Sequence, residues 1–188
     1  MKNIIIFFVL LIGFQFMKAQ SFEKTEMYAT TIDIKENGLQ SPTYLVNLVR
    51  SGGLPEKLTT IAINDSEPFE DIFITTLENP GLAGISEVIK MDIESVTCCA
   101  EVVTYYFMVT DQKKLISLPE LTNIYCENSD TDSQYTFPNQ LFGIKNKIVQ
   151  TETLYSESTE IKYVSLQQSF ILNNDKIDSS KSTALTGY

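Results

Sequence analysis

The chain has 188 residues, with 14 Lys or Arg against 24 Asp or Glu, three Cys, nine Tyr, and neither His nor Trp. Without His there is no Ser-His-Asp or Cys-His relay, no His general base and no His-ligated zinc. A formal net charge of −10 lacks the Lys/Arg footprint that nucleic acid requires.

Residues 1–19 have the layout of a secretory signal peptide. Met1-Lys2-Asn3 is a short positive start, Ile4 to Phe14 is apolar throughout with Gly13 as its one small residue, and Ala19 precedes the expected cut before Gln20. The apolar run is shorter than the roughly 20 residues that span a bilayer. No Cys lies near the cut to carry a lipid, and no later stretch is apolar enough to span a membrane. Cleavage would remove Lys2 and Lys18 and no acid, taking the net charge from −10 to −12. The expected destination is a periplasm or the extracellular space.

Beyond Gln20 the chain reads as short strands, rich in Val, Ile, Thr, Tyr and Phe and bounded by Gly, Pro, Asn, Asp and Ser. Met27 to Lys35 is a strand ending at the turn dipeptide Asn37-Gly38. Pro42, Pro55, Pro68 and Pro80 then recur at intervals of 13, 13 and 12 residues. The first three are each followed by a β-like run: Thr43 to Arg50, Lys57 to Asn64 and Phe69 to Leu77. Proline has no amide to donate and is tolerated where a strand begins, so this spacing predicts a β-meander. The one helix-like grouping, Ile85, Val88 and Ile89, fits a strand about as well.

Ser86 to Cys99 and Val102 to Thr110 are long strands, the second turning through Asp111-Gln112-Lys113-Lys114 into Leu115 to Leu118. Thr122 to Cys126 is short and extended, and Glu127 to Ser133 reads as a polar loop. Lys147 to Tyr155 and Glu160 to Leu172 form a further hairpin. Asn173 to Tyr188 is polar and aperiodic, and is expected to be a disordered tail. The organisation is then a signal peptide (1–19), one β-rich domain (20–172) and a tail (173–188). The fold class is all-β: a single antiparallel β-sandwich or barrel-like meander of about ten strands, with little helix.

Several groups invite a chemical role. In an oxidising compartment a disulfide is the default for Cys98, Cys99 and Cys126. Adjacent strand residues face opposite sides, and Cys99 shares the parity of Ile89, Met91, Ile93, Val103, Tyr105 and Phe107. Cys99–Cys126 is therefore the expected bridge, with Cys98 as the alternative partner. Asn128, Asp130 and Asp132 alternate like early calcium ligands, but the sixth position is Ser133 and the twelfth Asn139, so the segment reads as an acidic surface turn.

Asp65, Glu67, Glu70 and Asp71 could supply the two carboxylates that glycoside hydrolysis needs, yet nothing pairs any two of them. Asn64-Asp65-Ser66 matches a glycan acceptor pattern. Along Tyr105-Tyr106-Phe107, Tyr105 and Phe107 face one side. Tyr106 joins Val102, Thr104, Met108 and Thr110 on the other, a mixed face suited to core, rim or interface. No cofactor, metal or catalytic residue is indicated. The expected function is a non-catalytic, exported binding or interaction protein of the bacterial envelope or extracellular space. Its partner would be a protein or glycan at the cell envelope, with no nucleic acid and no membrane span after cleavage. The alternative is a small carboxylate-dependent hydrolase acting on envelope polysaccharide.

Overall fold

The computed structural model describes residues 20–38, 40–52, 54–63, 69–96, 98–126, 131–155, 161–173, 176–181 and 185–186. The expected signal peptide, the Asn64-Asp65-Ser66 acceptor pattern, Glu67, Asn128 and Asp130 lie outside the described residues.

Within them the chain is all-β, and no helix is long and apolar enough to cross a membrane. In chain order the strands are β1 (Glu23–Lys24), β2 (Tyr28–Asn37), β3 (Gln40–Arg50), β4 (Glu56–Ile63), β5 (Asp71–Glu78), β6 (Ile85–Val96) and β7 (Ala100–Thr110). They continue as β8 (Leu115–Ser117), β9 (Leu121–Tyr125), β10 (Thr131–Thr136), β11 (Ile148–Tyr155), β12 (Ile161–Asn173), β13 (Lys176–Lys181) and β14 (Leu185–Thr186). All pairings are antiparallel and form three sheets. The central sheet runs β1-β5-β6-β7, with β8 and β9 sharing the far side of β7. A meander sheet, β2-β3-β4, covers one face of it, and a sheet of β10-β11-β12-β13 with β14 covers part of the other.

Around Val88 to Met91 and Tyr106 to Val109 the central sheet is buried on both faces, which is why these stretches are rich in apolar residues. Ile89, Met91, Ile93, Phe107 and Val109 pack with Tyr28, Val46 and Leu48 of the meander sheet. Val88, Tyr106 and Met108 point the other way, into Leu77, Tyr135, Phe137, Ile148 and Phe170. Tyr106 is thus fully buried rather than rim or interface, with its ring edge-on to Tyr135 at 5.1 Å and to Phe22 at 5.9 Å. The backbone of Tyr135 hydrogen-bonds its hydroxyl, and burial pushes that hydroxyl's pKa up. Tyr28 ties the meander to the central sheet by donating to Glu87 Oε1 at 2.6 Å. Burial, and then that bond, push the Tyr28 pKa up to about 12.

Bulges explain positions that simple alternation misplaces. Ile85 pairs with Thr110 but Glu87 with Val109, so one extra residue puts Ile85 and Val88 on the same face. The helix-like spacing of Ile85, Val88 and Ile89 is therefore a bulge on a strand buried on both sides. On the far edge, Ser117 faces Phe107 and Leu121 faces Thr104, so three residues, with Pro119 among them, oppose two. The slip brings Leu118 and Leu121 into one core cluster. Pro42 sits beside the irregularity between Lys35 and Asn37 and beyond the last β4 pair, where its missing amide costs no ladder bond.

Two expectations differ from the structure. Asp132 and Ser133, expected in a polar loop, belong to β10. The segment from Asn173, expected to be a polar tail, contributes β13 and β14, both paired with β12. Ile177 packs against the aromatic core there, so one apolar side chain anchors a strand whose composition is otherwise polar.

Cys99 and Cys126 form a disulfide with a Cα–Cα distance of 4.9 Å. The reason is register rather than parity along one long strand. Cys99 lies in the turn between β6 and β7, Ala100 pairs with Tyr125, and the next residues outward are Cys99 and Cys126. Cys98 is exposed and lies outside this bridge. The bridge closes a 27-residue separation, worth about 3.5 kcal/mol by loop entropy. The Cys99→Ser/Cys126→Ser double variant is expected to lose about that much stability in chemical denaturation, and a non-reducing peptide map of the native protein should link Cys99 to Cys126.

Candidate functional site

The sheet of β10 to β14 covers the aromatic half of the central sheet and stops short of its disulfide end. Alternation then exposes a row of polar side chains on the uncovered stretch. Lys90, Asp92 and Glu94 follow one another on β6. Val102 and Thr104 lie beside them on β7, Asn123 and Tyr125 on β9, and Phe73 on β5. Asp132, Ser133 and Gln134 of β10 form the facing wall. Together these residues line a trough of about 200 Å³.

The trough is internally bonded. Lys90 Nζ meets Asp92 Oδ2 at 2.9 Å, and Thr104 Oγ1 donates to Asp92 Oδ1 at 2.6 Å. Tyr125 donates its hydroxyl to Asp132 Oδ1 at 3.0 Å. Asn123 locks the wall to the floor: Nδ2 donates to the Ser133 carbonyl at 3.0 Å, and Oδ1 accepts from the Ser133 amide at 2.9 Å. This amide therefore acts as one more rung between β9 and β10. Around the polar floor, Phe73 remains 49% exposed and Tyr125 38%.

Burial pushes the Asp132 carboxyl up from its ordinary value. The bond from Tyr125 and the charge of Lys90 pull it down, and Asp92 pushes it up again. The Tyr125 hydroxyl is raised by burial and then by Asp132.

Of the acids singled out in the sequence, Asp132 reaches the trough, as do Ser133 beside it and Val102 and Thr104 of the mixed Tyr106 face. Asp132 accepts from Tyr125, while its companions in the calcium-like pattern, Asn128 and Asp130, lie outside the described residues. Among the described members of the second acidic group, the Asp71 carboxylate accepts from the Ile72 amide and Glu70 hydrogen-bonds Glu94 through its backbone. Neither lines the trough. Sequence reasoning missed Lys90, Asp92 and Glu94. The available signal was three charges at alternate positions within the most apolar strand pair, where solvated charges are out of place.

No family model, curated protein or solved structure matches the chain.

An acid whose pKa is raised by folding stabilises the fold below its unfolded value and loses that contribution as pH climbs through the folded one. Asp132→Asn keeps an acceptor for Tyr125 but removes the buried charge. Thermal melts should therefore find the variant equal to or more stable than wild type at neutral pH, with any advantage disappearing below the ordinary aspartate value of 3.8.

Proposed function

We propose that the protein is an exported, non-catalytic β-rich binding protein of the bacterial envelope or extracellular space, and that the trough at the disulfide end is its contact surface. The observation that carries this reading is the pairing inside the trough. Asp92 is held by Lys90 and Thr104, and Asp132 by Tyr125, so these two carboxylates are committed to holding a fixed surface. That surface has the composition of a recognition site: a rigid polar floor with aromatic side chains at its margin. At about 200 Å³ it is smaller than the roughly 300–1,000 Å³ of sites that engulf a small molecule. It suits a protruding group of a larger partner, a side chain or one sugar of a glycan. The 24 acids of the chain favour solubility after export, and the single bridge suits an oxidising compartment.

One observation favours the second reading, a carboxylate-dependent hydrolase of envelope polysaccharide. Burial pushes the Asp132 carboxyl up from its ordinary value, the direction a general acid needs, and Asp132 shares its concavity with Asp92.

One set of variants tests both. Immobilised wild-type protein should retain a protein or glycan from envelope extract, and Phe73→Ala should lose at least tenfold in affinity with an unchanged melting temperature. Equal retention by the two would sink the contact-surface reading. Release of reducing ends from envelope polysaccharide by wild type, abolished in Asp132→Asn and Asp92→Asn, would replace the binding reading with the hydrolase.

A further inference from the structure

The meander sheet is open along β2. Its order is β2-β3-β4, and among the described residues no strand pairs with the outer side of β2, which is ten residues long. Such an edge is a template for another strand unless charge, proline or a bulge blunts it. The register shows what the edge presents. Ile32 is paired with Val46 and Ile34 with Tyr44, so both isoleucines lie on the sheet face that covers the central sheet. Val46 is fully buried, whereas Ile32 is 46% and Ile34 63% exposed. The apolar face thus continues past the core and ends uncovered at β2. Asp33 and Lys35 alternate with these isoleucines on the outward face, where Asp33 accepts from Asn47 Nδ2 at 2.9 Å.

We infer that β2 pairs antiparallel with β2 of a second copy of this chain, about a two-fold axis through Ile34, joining two meanders into one six-stranded sheet. An antiparallel two-fold pairing must match residues of the same parity, since only those point their amides to the same side and their side chains to the same face. The axis therefore passes through a residue, and charge selects which one. Through Asp33 it would oppose Asp33 to Asp33, and through Lys35 it would oppose Lys35 to Lys35. Through Ile32 it would leave Asp33 facing Thr31. Through Ile34, Asp33 of each copy faces Lys35 of the other, twice, and the two Ile34 side chains meet on the apolar face. Directly opposed unlike charges stabilise an antiparallel pair, and like charges destabilise it. The interface is self-complementary, as a two-fold dimer requires. It uses neither the trough nor its residues, so it is independent of the proposed function.

Light scattering coupled to size exclusion tests the pairing on the purified protein. Wild type is expected at twice the mass of one chain, falling towards one chain on dilution. Lys35→Asp, which leaves the Asp33–Asn47 bond intact, should shift the dissociation constant upward by at least tenfold, and Asp33→Lys should do the same. The exchange variant Asp33→Lys/Lys35→Asp restores both cross-copy pairs and should return the dimer. Far-ultraviolet circular dichroism establishes that each variant is folded. A monomeric wild type at all concentrations, single variants as dimeric as wild type, or an exchange variant that stays monomeric would each overturn the inference.

Discussion

The two-sided burial of β6 and β7 is the constraint from which the rest of this structure follows. A strand pair carrying apolar side chains on both faces has to be covered twice. Ile89, Met91, Phe107 and Val109 call for the meander sheet, while Val88, Tyr106 and Met108 call for the second cover built from β10 onward. The fold is accordingly three layers deep at its centre rather than the two of a simple sandwich. The bulges at Ile85/Glu87 and at Pro119 adjust the two faces so that every large apolar side chain near them finds a covered side. Burying an aromatic or aliphatic side chain contributes roughly 1.5–3 kcal/mol, several times the value of an exposed ion pair. The position of the covers is therefore decided by the apolar rows and not by the abundant acids.

The trough is the complement of that arrangement. Where the row on β6 changes from Val88 to Lys90, Asp92 and Glu94, the continuous apolar row stops, and the second cover ends. Its edge strand β10 is held at that boundary by Asn123, whose side chain bonds both the amide and the carbonyl of Ser133. The polar floor and the position of its wall have one cause, and the disulfide fixes the turn beside them. A surface built in this way is rigid before any partner arrives, so little ordering remains to be lost on binding. That property is what the binding proposal draws on.

Much of the strand sequence was legible because turn residues and β-branched runs punctuate it. β2, β3, β4, β7 and β11 lie within a few residues of the runs expected for them. Cys99 was the right partner for Cys126, though the working reason is the Ala100–Tyr125 pairing at the end of β7 and β9, which only a known register supplies. Parity along one strand could not say that the Tyr106 face is apolar core at Tyr106 and Met108 and lines a polar trough at Val102 and Thr104. That depends on where a distant sheet stops. Composition alone set the segment from Asn173 apart as a tail, because Ser, Asp and Lys dominate it, while its pairing with β12 depends on one well-placed isoleucine. Asp132 drew notice as an acid in an acidic stretch, but its partner Tyr125 is brought to it by tertiary structure.

Native-state hydrogen exchange, read residue by residue, reports which strands form the last-opening centre of the fold. If β6 and β7 are the doubly covered centre on which the other sheets depend, their amides, that of Tyr106 included, will exchange most slowly and only through global unfolding. The amides of β2 and β13 will exchange earlier, through local opening. Protection in the meander or in β11 and β12 that outlasts β6 and β7 would contradict a structure organised around this strand pair.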